Sequence, residues 1–349
     1  MVGDYGYREV FDPASFSENG RASVFTAVGG AAGAGGFWNL GPGARRTWTG
    51  STRRARLLVY STGLVRQPGL RITNNAGTVQ RDVVSSDVPV TNGYSWCYFD
   101  RLPKDPAGAS KIELFVGGQH ALSAGGPAQG TFPVAIEFDG KVTPVAPVTT
   151  GNHLVLIADS IPVGGNAVIE SQLGFAGLMR RPVALGGYNG RVTLVGHGYA
   201  MIRDDMNGAP AQAAFAAFIN SLGPTKIGVG RIVNDWLAGG GTAAATQAML
   251  AGFLNALSST ASAAVPVILQ SPWLTGVREG TGASGDNMDA YRAAIANCVT
   301  GGSAGVTKTG VTHLVGKTVH TTADIAPDGI HLLGLGGHPK AQTAWQAVA

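Results

Sequence analysis

Charge is scarce in this chain. Asp, Glu, Lys and Arg make up 13% of its 349 residues, and the formal net charge is +4. So small a balance does not call for nucleic acid and at most suits an acidic partner such as an anionic glycan. Cysteine is nearly missing. Cys97 and Cys298 stand far apart, and two cysteines cannot build a disulfide framework. They read as two buried free thiols, with one bridge between the halves as the alternative. Long apolar runs are missing too. No window reaches the roughly 18 uninterrupted apolar residues of a membrane span. The opening MVGDYGYREVFDP has early acids and no apolar segment, so it does not read as a signal peptide. Glycine, by contrast, is abundant at 53 residues, beside an apolar fraction of 44%. That profile fits a folded, turn-rich protein rather than a disordered or coiled-coil one. The length allows two domains of ordinary size.

The texture changes near residue 150. Before it come short runs rich in β-branched and aromatic residues: Ser23 to Val28, Arg56 to Ser61, Tyr94 to Phe99, Lys111 to Val116 and Phe132 to Phe138. Turn signals separate them, among them Asn74-Asn75-Ala76-Gly77, Asn92-Gly93 and Asp139-Gly140. Such spacing predicts an all-β, jelly-roll-like sandwich over residues 1–146. The glycine-rich run at 29–36 reads as a loop, because no strand-to-helix context makes it a phosphate cradle. Residues 142–152, VTPVAPVTTGN, read as an extended linker.

From 147 to 349 the pattern alternates. Apolar strands are expected at His153 to Ile157, Arg191 to Val195, Lys226 to Val229, Val265 to Leu269 and Val311 to Val315. Helices are expected around Asn166 to Arg180, Pro210 to Leu222, Thr242 to Leu257, Asn287 to Cys298 and Pro339 to Ala349. Alternation of this kind implies a mainly parallel sheet with helices on both faces, an α/β three-layer sandwich. Ligands then sit at the carboxyl ends of the strands.

The residues that could carry chemistry fall at those ends. Ser160 follows the first strand in LVLIADSIPVGG, where its backbone N–H could hold an oxyanion; the plainer reading is that Asp159 or Ser160 caps a helix. Asp328-Gly329-Ile330-His331 puts an acid beside an imidazole within one turn of chain, able to fix its tautomer and stabilise its charged form. A surface Asx turn with a solvated histidine is the alternative. Asn234, after KIGVG, could aim its side-chain N–H at a reacting carbonyl, or could serve a turn. Gly196-His197-Gly198 follows RVTLV and would let a substrate approach a backbone N–H. The other histidines form no ligand cluster: His313 and His320 lie seven apart and His338 is near the last helix. No metal or cofactor is expected.

Taken in order, ADSI at 158–161, GHG at 196–198, VND at 233–235 and DGIH at 328–331 resemble the motifs of the SGNH, or GDSL-type, hydrolases. The resemblance covers about residues 151–349. It implies Ser160 as nucleophile, His331 as general base and acid, and Asp328 as the group that orients His331. It implies an oxyanion hole made of the Ser160 and Gly198 backbone N–H groups and the Asn234 side chain. Ala158 stands where the family usually has glycine, and Ile232 and Val233 where it often has Gly-Thr. Alanine fits at 158 if φ is negative there.

The reaction so implied is ester hydrolysis through an acyl-enzyme. A β-sandwich ahead of such a domain is similar to the layout of several bacterial carbohydrate esterases, so an O-acetylated polysaccharide is the expected substrate partner. An acylated small molecule is the alternative, as for a lipid or aryl esterase. Trp236 and Trp273 could wall the pocket or stack on a sugar, or pack in the core. Arg45, Arg46, Arg53, Arg54 and Arg56, with Trp48 among them, would suit an anionic sugar polymer; solvated strand-edge charges are the plainer reading. A third expectation is a virion component that binds or deacetylates a host glycan, which goes with an extracellular or virion-associated location.

Overall fold

A computed structural model describes residues 5–18, 43–63, 65–106, 108–116, 130–164, 173–196, 198, 200–273 and 279–349. The expected strand at Ser23 to Val28, the glycine-rich run and the first half of the Asn166 to Arg180 helix lie outside the described residues.

Among the described residues the N-terminal part holds nine strands: β1 (Tyr7–Val10), β2 (Arg45–Ser51), β3 (Ala55–Thr62), β4 (Gly69–Thr73), β5 (Gln80–Val84), β6 (Gly93–Phe99), β7 (Ser110–Phe115), β8 (Gly130–Phe138) and β9 (Lys141–Pro144). They form two antiparallel sheets, ordered β1-β8-β3-β6 and β5-β4-β7-β2-β9. In β3, Ala55, Leu57, Val59 and Ser61 are buried while the residues between them are half-exposed, the period-two pattern of a strand with one solvated face. Leu57, Val59, Phe99 and Ile136 from one sheet meet Trp48, Leu70 and Ile112 from the other in one apolar cluster. Each such side chain contributes roughly 1.5–3 kcal/mol on burial. The turn signals hold. The Asn74 side chain accepts the backbone N–H groups of Thr78 and Val79, and Asn92 takes φ +57°. What the strand order establishes is two antiparallel sheets around a shared core.

Two expectations need correction here. Residues 142–152 are not all linker, because β9 uses Lys141–Pro144 to pair with β2. Proline is tolerated there because β9 is the edge strand. Nor does Trp48 sit on a basic surface. It is fully buried, packs edge-on against Phe138 and donates Nε1–H to Glu9 at 2.7 Å. Arg46 is held by the same Glu9, and Arg45 by Glu18 and Glu113. Those arginines are interior ion pairs.

The C-terminal part alternates: β10 (His153–Ala158), α1 (Ser160–Val163), α2 (Phe175–Met179), β11 (Arg191–Gly196), α3 (Ile202–Met206), α4 (Ala209–Ser221), β12 (Lys226–Gly230), α5 (Val233–Leu237), α6 (Ala243–Leu257), β13 (Val267–Gln270), α7 (Met288–Asn297), β14 (Val311–Leu314) and α8 (Gly337–Val348). The five strands are parallel in the order β11-β10-β12-β13-β14. Every residue of β10 is buried, which requires cover on both faces. The helices supply it in two packed groups, α3, α4, α6 and α7 in one and α1, α2 and α8 in the other. Helix α6 shows the spacing that makes this possible: Thr246, Leu250, Phe253, Leu254 and Leu257 are buried on one stripe, and Thr242 caps the start by accepting Ala245 N–H.

The two parts meet at the free edge of this sheet. Glu18 accepts the Val192 N–H of β11 and pairs with Arg180, while the fully buried Arg71 donates to Gly177 O. Both guanidinium groups lie over Phe115. The N-terminal part thus covers an edge strand that would otherwise present unpaired backbone. These contacts fall near the amino end of β11, leaving the carboxyl ends of the strands to the site.

Candidate active site

Three adjacent strands end in register. Ala158 is level with Gly196 on one side and Gly230 on the other. Ser160 lies two residues past the first, Gly198 two past the second and Asn234 four past the third. The sheet therefore delivers all three to one rim. Glycine is required at 196, where φ is +136° and a Cβ would come within 2.0 Å of Ala158 O. Ala158 itself is not at positive φ, so its methyl is accommodated.

Capping falls to Asp159. Its Oδ1 accepts Ile161 N–H at 2.9 Å, so the Ser160 hydroxyl is spared that task. Ser160 Oγ lies 2.8 Å from His331 Nε2, and His331 Nδ1 lies 2.6 Å from Asp328 Oδ2. The Asx turn is present as well: Asp328 Oδ1 accepts the N–H groups of Ile330 and His331 at 2.9 and 3.0 Å, and Gly329 turns at φ +74°. One carboxylate thus shapes the loop with one oxygen and holds the imidazole with the other. A carboxylate can only accept, so Nδ1 carries its hydrogen and Nε2 turns its lone pair to Ser160. Partial burial pushes the Asp328 carboxyl up, but the two N–H groups and the imidazole outweigh it and hold it well below the usual carboxylate range.

Asn234 is buried, and its Nδ2 donates to Ala200 O at 3.1 Å. A primary amide has a second N–H to offer. Gly198 is buried at its place past β11. Trp236 and Trp273 are 5% and 1% exposed and belong to the core cluster. The Trp236 N–H donates to Gly280 O, and Trp273 packs edge-on against His320 and Phe175. The structure places both rings in packing rather than on an open rim. Among the described residues no group of three or more His, Cys, Asp or Glu could hold a metal ion. Cys97 and Cys298 are free and buried.

Sequence reasoning missed what lies beneath the site. Arg231, fully buried, bonds Asp205 at 2.5 Å and Asp204 at 3.3 Å. Asp159 and Asp235 also feel its charge, and Asp235 Oδ2 accepts Ile202 N–H at 2.9 Å. One cation thus ties the loops after β10, β11 and β12 together. It cannot neutralise four carboxylates. Burial pushes Asp159 and Asp235 up to about 7 from the ordinary 3.8. The folded chain then binds more protons than the unfolded one between about pH 4 and pH 7, and this contribution to stability is lost as pH rises through that window. Arg231→Met is expected to cost about 3–5 kcal/mol near neutral pH and less at pH 5, where the carboxylates take up protons. Denaturant unfolding at pH 5 and pH 8 checks this; equal losses at the two pH values would show that charge is not what Arg231 supplies.

No protein-family model matches the sequence, and no curated protein matches it either. Solved structures do match. The chain is similar to a salicylyl-acyltransferase from a tetracycline biosynthetic pathway, with TM-score 0.65 and 16% identity over 97% of this chain and 95% of that one. It is similar to a candidate GDSL-like lipase from Bacteroides ovatus, with TM-score 0.60 and 12% identity over 88% and 83%. It is similar to a family two carbohydrate esterase from Clostridium thermocellum, solved with cellohexaose, with TM-score 0.55 and 13% identity over 88% and 92%. At such identities the likeness carries the fold alone, one that this chain shares with that acyltransferase, that GDSL-like lipase and that carbohydrate esterase.

Proposed function

We propose that this chain is a serine esterase that removes O-acetyl groups from a carbohydrate through an acyl-enzyme. The observation that carries the reading is the unbroken line from Ser160 Oγ through His331 to Asp328 at the rim of the parallel sheet. In it, Ser160 Oγ attacks the ester carbonyl while His331 Nε2 takes its proton, and Asp328 stabilises the imidazolium that forms. The C–O bond to the alcohol breaks as His331 returns the proton to the leaving oxygen. Water, deprotonated by the same imidazole, then attacks the acyl carbon and frees Ser160. The Ser160 and Gly198 N–H groups and the second N–H of Asn234 are the donors assigned to the oxyanion. The proton moves between atoms already at hydrogen-bond distance, so no large rearrangement of the three side chains is needed.

A sugar ester is favoured by the likeness to an esterase solved with cellohexaose. The same reading divides the chain into a jelly-roll-like part over 1–146 and a catalytic part over 147–349, supported by β9 ending at Pro144 and β10 starting at His153. The test is acetate release from acetylated xylan, peptidoglycan and bacterial exopolysaccharide, run beside nitrophenyl esters of increasing acyl length. Acetate from at least one polymer, and a rate that falls with acyl length, is the expected result. No acetate from any of them, with faster cleavage of longer esters, would replace the sugar by a lipid or aryl ester.

A further inference from the structure

The β1-β8-β3-β6 sheet turns one face to the shared core, and its other face carries an ordered set of side chains. One cross-strand row reads Arg8, Glu137, Arg56, Tyr98. The next reads Val10, Ala135, Leu58, Trp96, and beyond it Tyr60 stands level with Tyr94. Tyr94, Trp96 and Tyr98 alternate along β6 with buried Cys97 and Phe99, so all three rings share the outer face. Tyr94 and Tyr98 are 54% and 36% exposed. The rings are braced: the Arg56 guanidinium lies 4.5 Å from both the Tyr5 and Trp96 rings, and Tyr60 meets Tyr94 edge-on at 4.9 Å. The segment beside β6 covers its outer edge, with Ser86 N–H on Tyr98 O and the Asp87 carboxylate on Tyr98 N–H. The face is open at Tyr94, Tyr98 and Arg8, with Ala135 and Glu137 buried between them, while the strand edge is covered at Tyr98, which excludes recognition by strand addition there.

We propose that this face is a second, non-catalytic site that binds a polysaccharide bearing carboxylates. The charge pattern selects that occupant. Two guanidinium groups, Arg8 and Arg56, share one carboxylate, Glu137, at 3.6 and 2.6 Å. The Asp87 carboxylate stands at the far end of the row, on Tyr98, so the positive surplus lies at the Arg8–Arg56 end. Arg8, whose side chain is 64% exposed, is placed to meet a carboxylate from solvent. The electron-rich faces of the Tyr94, Trp96 and Tyr98 rings suit the C–H faces of sugar rings, and their bracing lowers the entropy lost on binding. A single-stranded nucleic acid would also stack on such rings. It brings one phosphate per nucleotide, however, and a surplus at one end of the row does not answer that density. This site does not depend on the esterase reading, because neither its rings nor its arginines take part in the reaction at Ser160.

The test is calorimetric titration of the full chain with unacetylated polygalacturonate, neutral deacetylated xylan and a single-stranded oligonucleotide. Binding to polygalacturonate is expected, weakened about tenfold in Tyr94→Ala and in Trp96→Ala and lost in Arg8→Glu. Cleavage of nitrophenyl acetate is expected to be unchanged in all three variants. Tyr94 and Arg8 are exposed enough that their variants fold, so the result stands even if Trp96→Ala does not. No binding to polygalacturonate, equal binding to xylan, preference for the oligonucleotide, or wild-type affinity in Tyr94→Ala and Arg8→Glu would each overturn the proposal. If the variants lose binding while the chain cleaves no ester at all, this site stands and the esterase reading falls.

Discussion

Ser160→Ala is expected to lower kcat for ester hydrolysis roughly a million-fold, leaving a residue of about a thousand-fold over water. The size follows from what the hydroxyl does. In the proposed reaction its oxygen forms the covalent bond, and its proton passes to His331, whose Nε2 lies 2.8 Å away. Without it, His331 has no nucleophile to activate, and only binding and the oxyanion donors remain. The variant should fold. The side chain removed is small, and the cap at the start of α1 belongs to Asp159 and is untouched. Kinetics beside a thermal melt check both halves. Activity within tenfold of the wild type, in a folded variant, would remove Ser160 from the reaction.

Asp328→Asn is expected to cost about ten-thousand-fold near neutral pH. The reason is the tautomer. An asparagine at 328 can keep its carbonyl oxygen on the Ile330 and His331 N–H groups and so keep the turn. Its –NH₂ then faces His331 Nδ1, where a carboxylate oxygen now sits at 2.6 Å. A donor there demands that Nδ1 accept, which moves the hydrogen to Nε2. The imidazole would then donate to Ser160 rather than take its proton. Because the Asp328 carboxyl is held well below the usual range, the wild type keeps this anion through mildly acidic conditions. The stabilisation that goes with the lowered value is present above the ordinary carboxylate range and is lost only as pH falls toward the folded value. Ester hydrolysis by the two proteins, compared side by side near neutral pH, checks this. A variant within tenfold of wild type would reduce Asp328 to a turn residue.

Much of this could be read in the sequence, because local patterns carried it. β10, β11 and β12 are apolar runs that end in glycine or alanine, and β13 runs from Val267 to Gln270 where Val265 to Leu269 was expected. Helices α4, α6 and α7 have bounds within a residue or so of those read from periodicity. Ser160, Asp328 and His331 were legible as local motifs, ADSI at 158–161 and DGIH at 328–331, and their joint role came from the resemblance of those motifs to a known family. What escaped was set by distant partners. β9 is four residues long with a single buried position, Val142, and gains its identity only by pairing with β2. Trp48 reads as a surface ring among arginines until Glu9, far away in sequence, is seen to hold its N–H. Arg231 looks like a strand-end charge, although the adjacent acids Asp204 and Asp205 signalled a need for a cation beside them. Trp236 and Trp273 follow strands, and their position along the chain could not tell packing from a pocket wall.

The central claim is that Ser160 forms the covalent bond to the acyl group. The most direct measurement is the mass of the intact protein after treatment with a fluorophosphonate ester, followed by peptide mapping. The account predicts one adduct, on the peptide that carries Ser160, with none on Ser160→Ala and a greatly slowed reaction on Asp328→Asn. An adduct on another residue, or one that persists in Ser160→Ala, would contradict it.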